Sequence, residues 1–227
     1  MSIQSGWLVR RMPVAAIVAA AMALATARSV SSDEASADHA QHAHGGEHAH
    51  HAQMMSRTGY ERTQHSYVVP DVALTDQNGR RVELRTALAD PKPVILNFIF
   101  TTCTTICPVL SASLAQMQRS LGPEANGVRM ISISIDPDHD VPAKLRDYAQ
   151  RFHAGEGWQF LTGARADILA AQRAFDAYRG DKTNHIPLTF MHFEPEGPWI
   201  RLDGFASAEE LVGEYRRGKV GGSSDAT

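Results

Sequence analysis

The only two cysteines of the chain, Cys103 and Cys107, lie four residues apart in the segment FTTCTTICPVL. Two thiols at this spacing suit a soft metal ion, a reversible disulfide, or a core in which both are inert. If the turn between them is helical, their Cα atoms are ~6.2 Å apart, within the ~4.4–6.8 Å range of disulfides. The same separation lets two thiolates converge on one metal ion, so the spacing leaves both functions open.

A buried strand and a helix are predicted on the two sides of the cysteine segment. The run PVILNFIF, residues 93–100, is apolar except for Asn97 and is typical of a central strand covered on both faces. Apolar residues then recur at helical spacing from Leu110 to Leu121, and Gly122 with Pro123 ends the pattern. Because a helix start stabilises anions, we expect the pKa values of both thiols to be lowered.

Further elements alternate along the chain in an order typical of α/β proteins. Asn78-Gly79 predicts a hairpin with a type I′ turn, and residues 128–135 predict a second buried strand. Helical periodicity marks residues 145–152, opened by Asp140 as a cap, and residues 168–178. Strands that alternate with helices favour a sheet with parallel central strands.

The C-terminal part of the chain closes the predicted fold. A second β-hairpin turns at residues 194–197, and Ser207 with Glu210 forms a capping box that opens the last helix. The sequence therefore predicts an α/β protein with a thioredoxin-like fold, carrying an N-terminal β-hairpin and a C-terminal β-hairpin plus helix.

The N-terminus has the features of an export signal. Two arginines precede 16 uncharged residues, and Ala25-Thr26-Ala27 fits the small-x-small cleavage pattern. Sixteen residues span ~24 Å of helix, short of a ~30 Å hydrocarbon core. We therefore expect residues 1–27 to be a signal peptide, with an uncleaved anchor as the alternative, and the protein to be periplasmic, either free or anchored to the inner membrane.

Charge and composition limit the partners and divide the chain into parts. The net charge is −3, and cleavage after Ala27 removes two arginines to give 20 − 25 = −5, which argues against general nucleic-acid binding. Residues 28–62 are predicted to be a disordered leader, 63–218 the folded domain and 219–227 a disordered tail. The leader holds six histidines that could bind metal, namely His39, His42, His44, His48, His50 and His51.

Three segments together resemble the Sco/SenC family: VILNFIFTTCTTICPVLSASLAQMQ, ISISIDPDHDVPAKLRDYAQRF and FLTG. The resemblance covers about residues 67–217. It implies a thioredoxin-like domain that carries copper, as Cu(I) with Cu(II) as a further form, to the copper-A site of cytochrome c oxidase. The implied ligands are Cys103, Cys107 and His185, and two sulfurs with one imidazole suit Cu(I). His192, within the following strand, is the rival third ligand.

The resemblance leaves several functions open. The first is copper delivery, with cytochrome c oxidase subunit II as the partner and other copper chaperones or thioredoxin-like reductases as further partners. The second is a thiol–disulfide oxidoreductase that keeps the metal-ligand cysteines of a partner reduced, and the third is a metal buffer that uses the histidine-rich leader. Asp136 and Asp140 follow the second buried strand, where Asp140 is predicted to cap the next helix, with partner docking as the alternative.

Overall fold

The computed structural model describes residues 59–221, which form an α/β domain around one eight-stranded sheet. The strands are β1 (Gly59–His65), β2 (Ala73–Asp76), β3 (Arg81–Glu83), β4 (Val94–Ile99), β5 (Arg129–Ser134), β6 (Trp158–Thr162), β7 (Leu188–His192) and β8 (Trp199–Phe205). The helices are α1 (Leu84–Leu88), α2 (Ile106–Leu121), α3 (Pro142–Arg151), α4 (Arg165–Ala174) and α5 (Ala208–Gly221).

The order of strands in the sheet is β1-β8-β7-β4-β5-β6-β2-β3. The three central strands β4, β5 and β6 are parallel, and β7 runs antiparallel to β4. This arrangement, with the β2–β3 hairpin on one side and the β7–β8 hairpin followed by α5 on the other, confirms the predicted thioredoxin-like fold. The carboxyl ends of β4, β5 and β6 share one edge of the sheet, and we call it the carboxyl edge.

Two hydrophobic clusters cover the two faces of the sheet. Along β4 the side chains alternate, so that Ile95 and Ile99 join the cluster beneath α2, α3 and α5, whereas Leu96 and Phe98 join the cluster beneath α1 and α4. All six residues of β4 are buried, as predicted for a central strand. Since successive side chains of a strand point to opposite faces, a strand covered on both faces needs apolar residues on both, and the one polar residue of β4, Asn97, accepts a hydrogen bond from the Ser132 hydroxyl at 2.6 Å.

The structured domain begins earlier than the sequence predicts. The sequence assigns residues 59–62 to the leader, but β1 begins at Gly59 and pairs along its whole length with β8. Tyr60 and Arg62 also bind the buried carboxylate of Glu214 on α5, at 2.7 and 2.9 Å. The strand carries no apolar run, so its stability comes from these partners, which are distant in sequence.

The first hairpin has a different turn from the predicted type I′. Gly79 has a positive φ of 80°, but Asn78 does not, and a type I′ turn requires both. The N–H of Gly79 donates to the carbonyl of Asp76 at 2.9 Å, and the N–H of Asp76 donates to the carbonyl of Arg80 at 2.9 Å. The connection is therefore a three-residue loop with glycine in the left-handed region, and the second strand gives way to α1 at Leu84.

Two helix ends also differ from prediction, while the last helix start agrees with it. Helix α4 ends at Ala174 rather than near Tyr178, because Asp176 adopts a positive φ of 50°. Helix α5 continues to Gly221, which places residues 219–221 in a helix instead of the tail. The capping box is confirmed: the Ser207 N–H donates to Glu210 at 2.7 Å, and the Glu210 N–H donates to the Ser207 hydroxyl at 3.2 Å.

None of the helices within residues 59–221 is long and apolar enough to span a membrane. The predicted signal peptide or anchor, residues 1–27, and the histidines of the leader lie outside the described residues.

Candidate metal centre

The cysteine loop joins the end of β4 to the start of α2, so Cys103 and Cys107 lie at the carboxyl edge. Cys107 is buried in the first turn of α2, whereas Cys103 precedes the helix and is partly exposed. The helical turn assumed for both residues therefore holds only for Cys107. The two residues are nevertheless in contact, since the backbone N–H of Cys107 donates to Sγ of Cys103 at 3.4 Å.

The two thiols have opposite electrostatic environments, so the expectation that both pKa values are lowered is wrong. Hydrogen bonding from the Cys107 thiol, reinforced by the backbone N–H groups of Cys107 and Thr105, lowers the pKa of Cys103 to about 5. The same bond to Cys103, together with burial, raises the pKa of Cys107. Cys103 is thus the thiolate at neutral pH, and Cys107 is the proton donor that stabilises it.

His185 reaches the carboxyl edge from the loop before β7, directly after a short 3₁₀ turn at Lys182–Asn184. Its imidazole is 3% exposed and its Nε2 has no hydrogen-bond partner. Burial lowers the pKa of this histidine to about 4, although a hydrogen bond with the Phe98 backbone partly offsets the effect. A neutral imidazole with an unpartnered nitrogen is the state in which histidine binds a metal ion.

Phe100 connects His185 with the cysteine loop. Its ring packs edge-on against the imidazole, with ring centroids 6.3 Å apart, and its carbonyl accepts a hydrogen bond from the N–H of Cys103 at 3.1 Å. The structure thus brings His185 to the same edge as both cysteines. Within residues 59–221, however, the three side chains do not lie close enough together to form a three-ligand metal site. Two free thiols and an unpartnered imidazole nonetheless fit a soft metal ion in donor type.

The register of the sheet places His192 too far from the cysteine loop to be the third ligand. His192 pairs with Val94 at the first residue of β4, whereas the cysteine loop follows the last residue of that strand. Five residue steps along β4 separate the two positions by ~16 Å. The ring of His192 stacks on Trp199 with centroids 4.4 Å apart, and its Nε2 hydrogen-bonds the carbonyl of Gly197 at 3.1 Å. His192 is therefore a packed residue of the opposite edge.

The two aspartates after β5 have separate roles. Asp140 does not cap α3, because the N-cap is Val141 and no side chain caps that helix. Its carboxylate accepts hydrogen bonds from Thr101 and Ser134 instead. Asp136 lies nearer the surface and binds Nζ of Lys182 at 2.6 Å.

The rim of the site also contains residues that sequence patterns do not reveal. The ammonium group of Lys182 lies 5.7 Å from the centroid of the Phe100 ring, and Asp136, Lys182 and His185 line one cavity of about 430 Å³. A lysine three residues before a histidine is an ordinary surface pattern, so only the fold shows that it reaches the aspartate after β5. The ion pair therefore closes one side of the histidine loop against the sheet.

The buried imidazole of His185 predicts a specific pH dependence of stability. The folded-state pKa of about 4 lies below the ordinary value of 6.5, so the unfolded chain takes up this proton first as the pH falls. The stabilisation is present above pH 6.5 and is lost as the pH falls from 6.5 to 4. Over that window the metal-free wild type should lose about 3 kcal/mol more unfolding free energy than His185→Ala, measured by urea denaturation.

The exposed His139 provides the control for this measurement. The variant His139→Ala should lose stability in parallel with the wild type. Parallel curves for wild type and His185→Ala would contradict the assignment of His185 as a histidine buried in its neutral form.

Comparison with known proteins gives the family. The sequence model of the SCO1/SenC family matches residues 60–194. The chain is 35% identical over 99 residues to the SCO1 protein homolog of Bacillus subtilis, covering 43% of this chain and 50% of the relative. It is 31% identical over 161 residues to a SCO2-like protein of Rickettsia felis, covering 65% of this chain and 75% of the relative. The match spans about half the length of the relatives from Bacillus subtilis and Mus musculus.

Solved structures agree with this fold. Bradyrhizobium japonicum ScoI with copper bound is 26% identical, with a TM-score of 0.56 over 66% of this chain and 98% of that one. BsSco, described with a disulfide switch and as a member of the Sco family of cytochrome c oxidase assembly proteins, is 27% identical. Its TM-score is 0.58 over 70% of this chain and 96% of that one.

The family model covers more than half of the 227 residues, including the cysteine loop and the histidine loop. The thioredoxin-like fold and the resemblance in the sequence agree with it, and we conclude that this chain belongs to the SCO1/SenC family.

Proposed function

We propose that this protein is an exported copper-binding metallochaperone for the assembly of cytochrome c oxidase, which carries copper to the copper-A site of subunit II. Cys103, Cys107 and His185 are the proposed ligands. The observation that carries the proposal is the buried, neutral imidazole of His185, whose Nε2 has no partner, at the same sheet edge as two free thiols. A buried polar atom without a partner is costly, and a bound ion would satisfy it.

The donor set supports copper as the cargo. Thiolate sulfur is a soft ligand that favours Cu(I), imidazole nitrogen also suits copper, and zinc would favour a fourth ligand. Copper is bound in the similar Bradyrhizobium japonicum structure. Ligation requires Cys107 to release its proton, so copper uptake at this site should release protons and weaken as the pH falls.

Thiol–disulfide exchange is the second candidate function, and the asymmetry of the two thiols favours it. Cys103 combines a pKa of about 5 with partial exposure, which suits an attacking thiolate. Cys107 is buried behind it and retains its proton, which suits a resolving thiol. A reductase of this kind would act on a disulfide of its partner, leaving the partner as the dithiol and Cys103–Cys107 as the disulfide, and would have no use for His185.

A supporting role in metal capture is proposed for the histidines of the leader. Strand β1 is antiparallel to β8, and β8 runs in the same direction as β4, so Gly59 lies at the carboxyl edge. Three strand spacings place Gly59 ~14 Å from β4 across the sheet. His51 precedes Gly59 by eight residues and is thus at most ~29 Å from it along the chain. The leader therefore joins the domain at the edge that carries both thiols.

Location outside the cytoplasm is proposed from the N-terminal sequence. Residues 12–27 are uncharged and follow two arginines, which is the pattern of a secretory signal. In the periplasm, free or anchored to the inner membrane, a thiol pair is oxidised unless a metal or a reductant protects it. Thioredoxin-like reductases and other copper chaperones are accordingly proposed as upstream partners.

A transfer assay tests the copper function. The chain from residue 28 onward, loaded with Cu(I), should transfer copper to the metal-free copper-A domain of an oxidase subunit II, measured by the absorption of the copper-A centre after a one-electron oxidant is added. A variant without residues 28–58 should transfer copper equally well but should load more slowly from dilute copper. If the loaded protein retains its copper while its reduced form reduces a disulfide in the copper-A domain, thiol exchange is the function.

A further inference from the structure

Asp140 lies beneath the loop that carries Cys103, and its side chain is fully buried. Its Oδ2 accepts hydrogen bonds from the N–H of Thr101 at 3.0 Å and from the hydroxyl of Ser134 at 2.6 Å. Its Oδ1 accepts a hydrogen bond from the hydroxyl of Thr101. Three hydrogen bonds thus tie the first residue of the cysteine loop to the end of β5.

The cysteine loop has little regular structure of its own. Residues 101–105 lie between β4 and α2 without belonging to either element. Cys107 is held by the first turn of α2, so the position of its sulfur relative to that of Cys103 depends on the path of the loop from Thr101 onward. A misplaced loop would move Cys103 away from its partner, and the cost of restoring contact would oppose both a disulfide and shared ligation.

We propose that Asp140 is a positioning residue of the thiol pair, which fixes the cysteine loop through Thr101 and so sets the relative placement of the two sulfurs. It contributes hydrogen bonds rather than a reacting group. The proposal can be tested by the stability of the Cys103–Cys107 disulfide and by the affinity for Cu(I). The second measurement rests on the proposed copper function, whereas the first is independent of copper.

Two substitutions separate hydrogen bonding from charge. In Asp140→Asn the amide oxygen can accept from the Thr101 N–H and the Ser134 hydroxyl, while the amide nitrogen donates to the Thr101 hydroxyl, which can reverse its role. Asp140→Ala removes all three hydrogen bonds. Thr101→Val removes only the hydroxyl bond and retains the backbone bond.

Asp76, the last residue of β2, offers a matched control three strands across the sheet from β4. It is also fully buried, and its Oδ1 accepts from the N–H groups of Asn78 and Arg80 at 2.8 and 2.9 Å. It thus organises the β2–β3 turn as Asp140 organises the cysteine loop. Asp76→Ala should destabilise the fold through the same kind of lost hydrogen bonds without affecting the thiols.

The experiment measures the equilibrium between the Cys103–Cys107 disulfide and glutathione in the full-length chain in detergent. Asp140→Ala should shift this equilibrium about tenfold towards the dithiol, equivalent to about 30 mV. Asp140→Asn and Asp76→Ala should stay within about threefold of the wild type, which is less than 1 kcal/mol. In the second readout, Cu(I) affinity in competition with a chromogenic chelator should fall about tenfold or more in Asp140→Ala alone.

Each contrary result has a distinct meaning. An equal shift in Asp140→Asn would assign the effect to charge, an equal shift in Asp76→Ala would assign it to general destabilisation, and no shift in Asp140→Ala would leave Asp140 without a role at the thiols. All three outcomes overturn the proposal. If Asp140→Ala does not fold, Thr101→Val replaces it as the test. The proposal then requires that Thr101→Val shift the disulfide equilibrium towards the dithiol. Absence of Cu(I) binding in the wild type would defeat the proposed function alone, because the disulfide readout needs no copper.

Discussion

Replacing either Cys103 or Cys107 with alanine is expected to lower the affinity of the protein for Cu(I) by on the order of a thousandfold or more, or ~4 kcal/mol. Each variant leaves one sulfur and one imidazole, and the lost thiolate supplies both a soft donor and the negative charge that balances the metal. Competition with a chromogenic Cu(I) chelator at pH 7.5 measures the change. Deleting residues 28–58 from every variant removes the leader histidines as competing ligands.

Ser111→Ala is the matched control for this pair of substitutions. Ser111 is buried on α2 one turn beyond Cys107, and its hydroxyl hydrogen-bonds that of Tyr148 at 2.9 Å. The control disturbs the same helix and leaves both thiols in place, so it should retain the wild-type affinity. Undiminished Cu(I) affinity in either cysteine variant would exclude that thiol as a ligand.

His185→Ala is expected to separate copper delivery from thiol exchange. The substitution removes the imidazole that would complete the metal site, so Cu(I) affinity should fall about a hundredfold or more. The Cys103–Cys107 disulfide should still form and be reduced at nearly the wild-type potential, since His185 makes none of the hydrogen bonds that stabilise the Cys103 thiolate. Cells that carry only this variant should assemble little active oxidase when copper is limiting.

His192→Ala is the internal control, because His192 lies at the far edge of the sheet and stacks on Trp199. It should retain Cu(I) affinity even if the fold is weakened. Normal oxidase assembly in His185→Ala cells, together with a defect in Cys103→Ala cells, would show that the protein acts by thiol exchange. A defect in His192→Ala cells alone would show that the third ligand is misassigned.

Local hydrophobic patterns predict much of the fold, because they report burial directly. The apolar run of β4 and the helical spacing after Cys107 place the thiols correctly at a strand-to-helix junction. These features depend on residues close together in the chain, so a single sequence contains the necessary information. The placement of His185 beside the cysteine loop is instead what the family resemblance implies, and the structure finds this residue buried at the carboxyl edge with an unpartnered Nε2.

Features that depend on distant partners are the ones that the sequence does not reveal. Strand β1 is polar, and it forms because β8 and Glu214 pair with it. Asp140 stands two residues before Pro142 and has the local pattern of a helix cap, yet its hydrogen bonds go to Thr101, 39 residues earlier, and to Ser134. The opposite pKa shifts of the two thiols depend on which one is buried, and sequence spacing does not settle that.

The unequal exposure of the three proposed ligands has a kinetic consequence. Cys107 and His185 are buried, whereas Cys103 is partly exposed, so Cys103 is the ligand that a partner's thiol can reach first. Under the proposed function, a protein that supplies copper and a protein that receives it would both bind at the surface around Cys103 and would exclude each other. Transfer would follow a double-displacement scheme, in which an excess of the metal-free donor inhibits the acceptor competitively. Turnover would then be limited by how fast the first partner dissociates, so a donor that binds too tightly would slow the transfer.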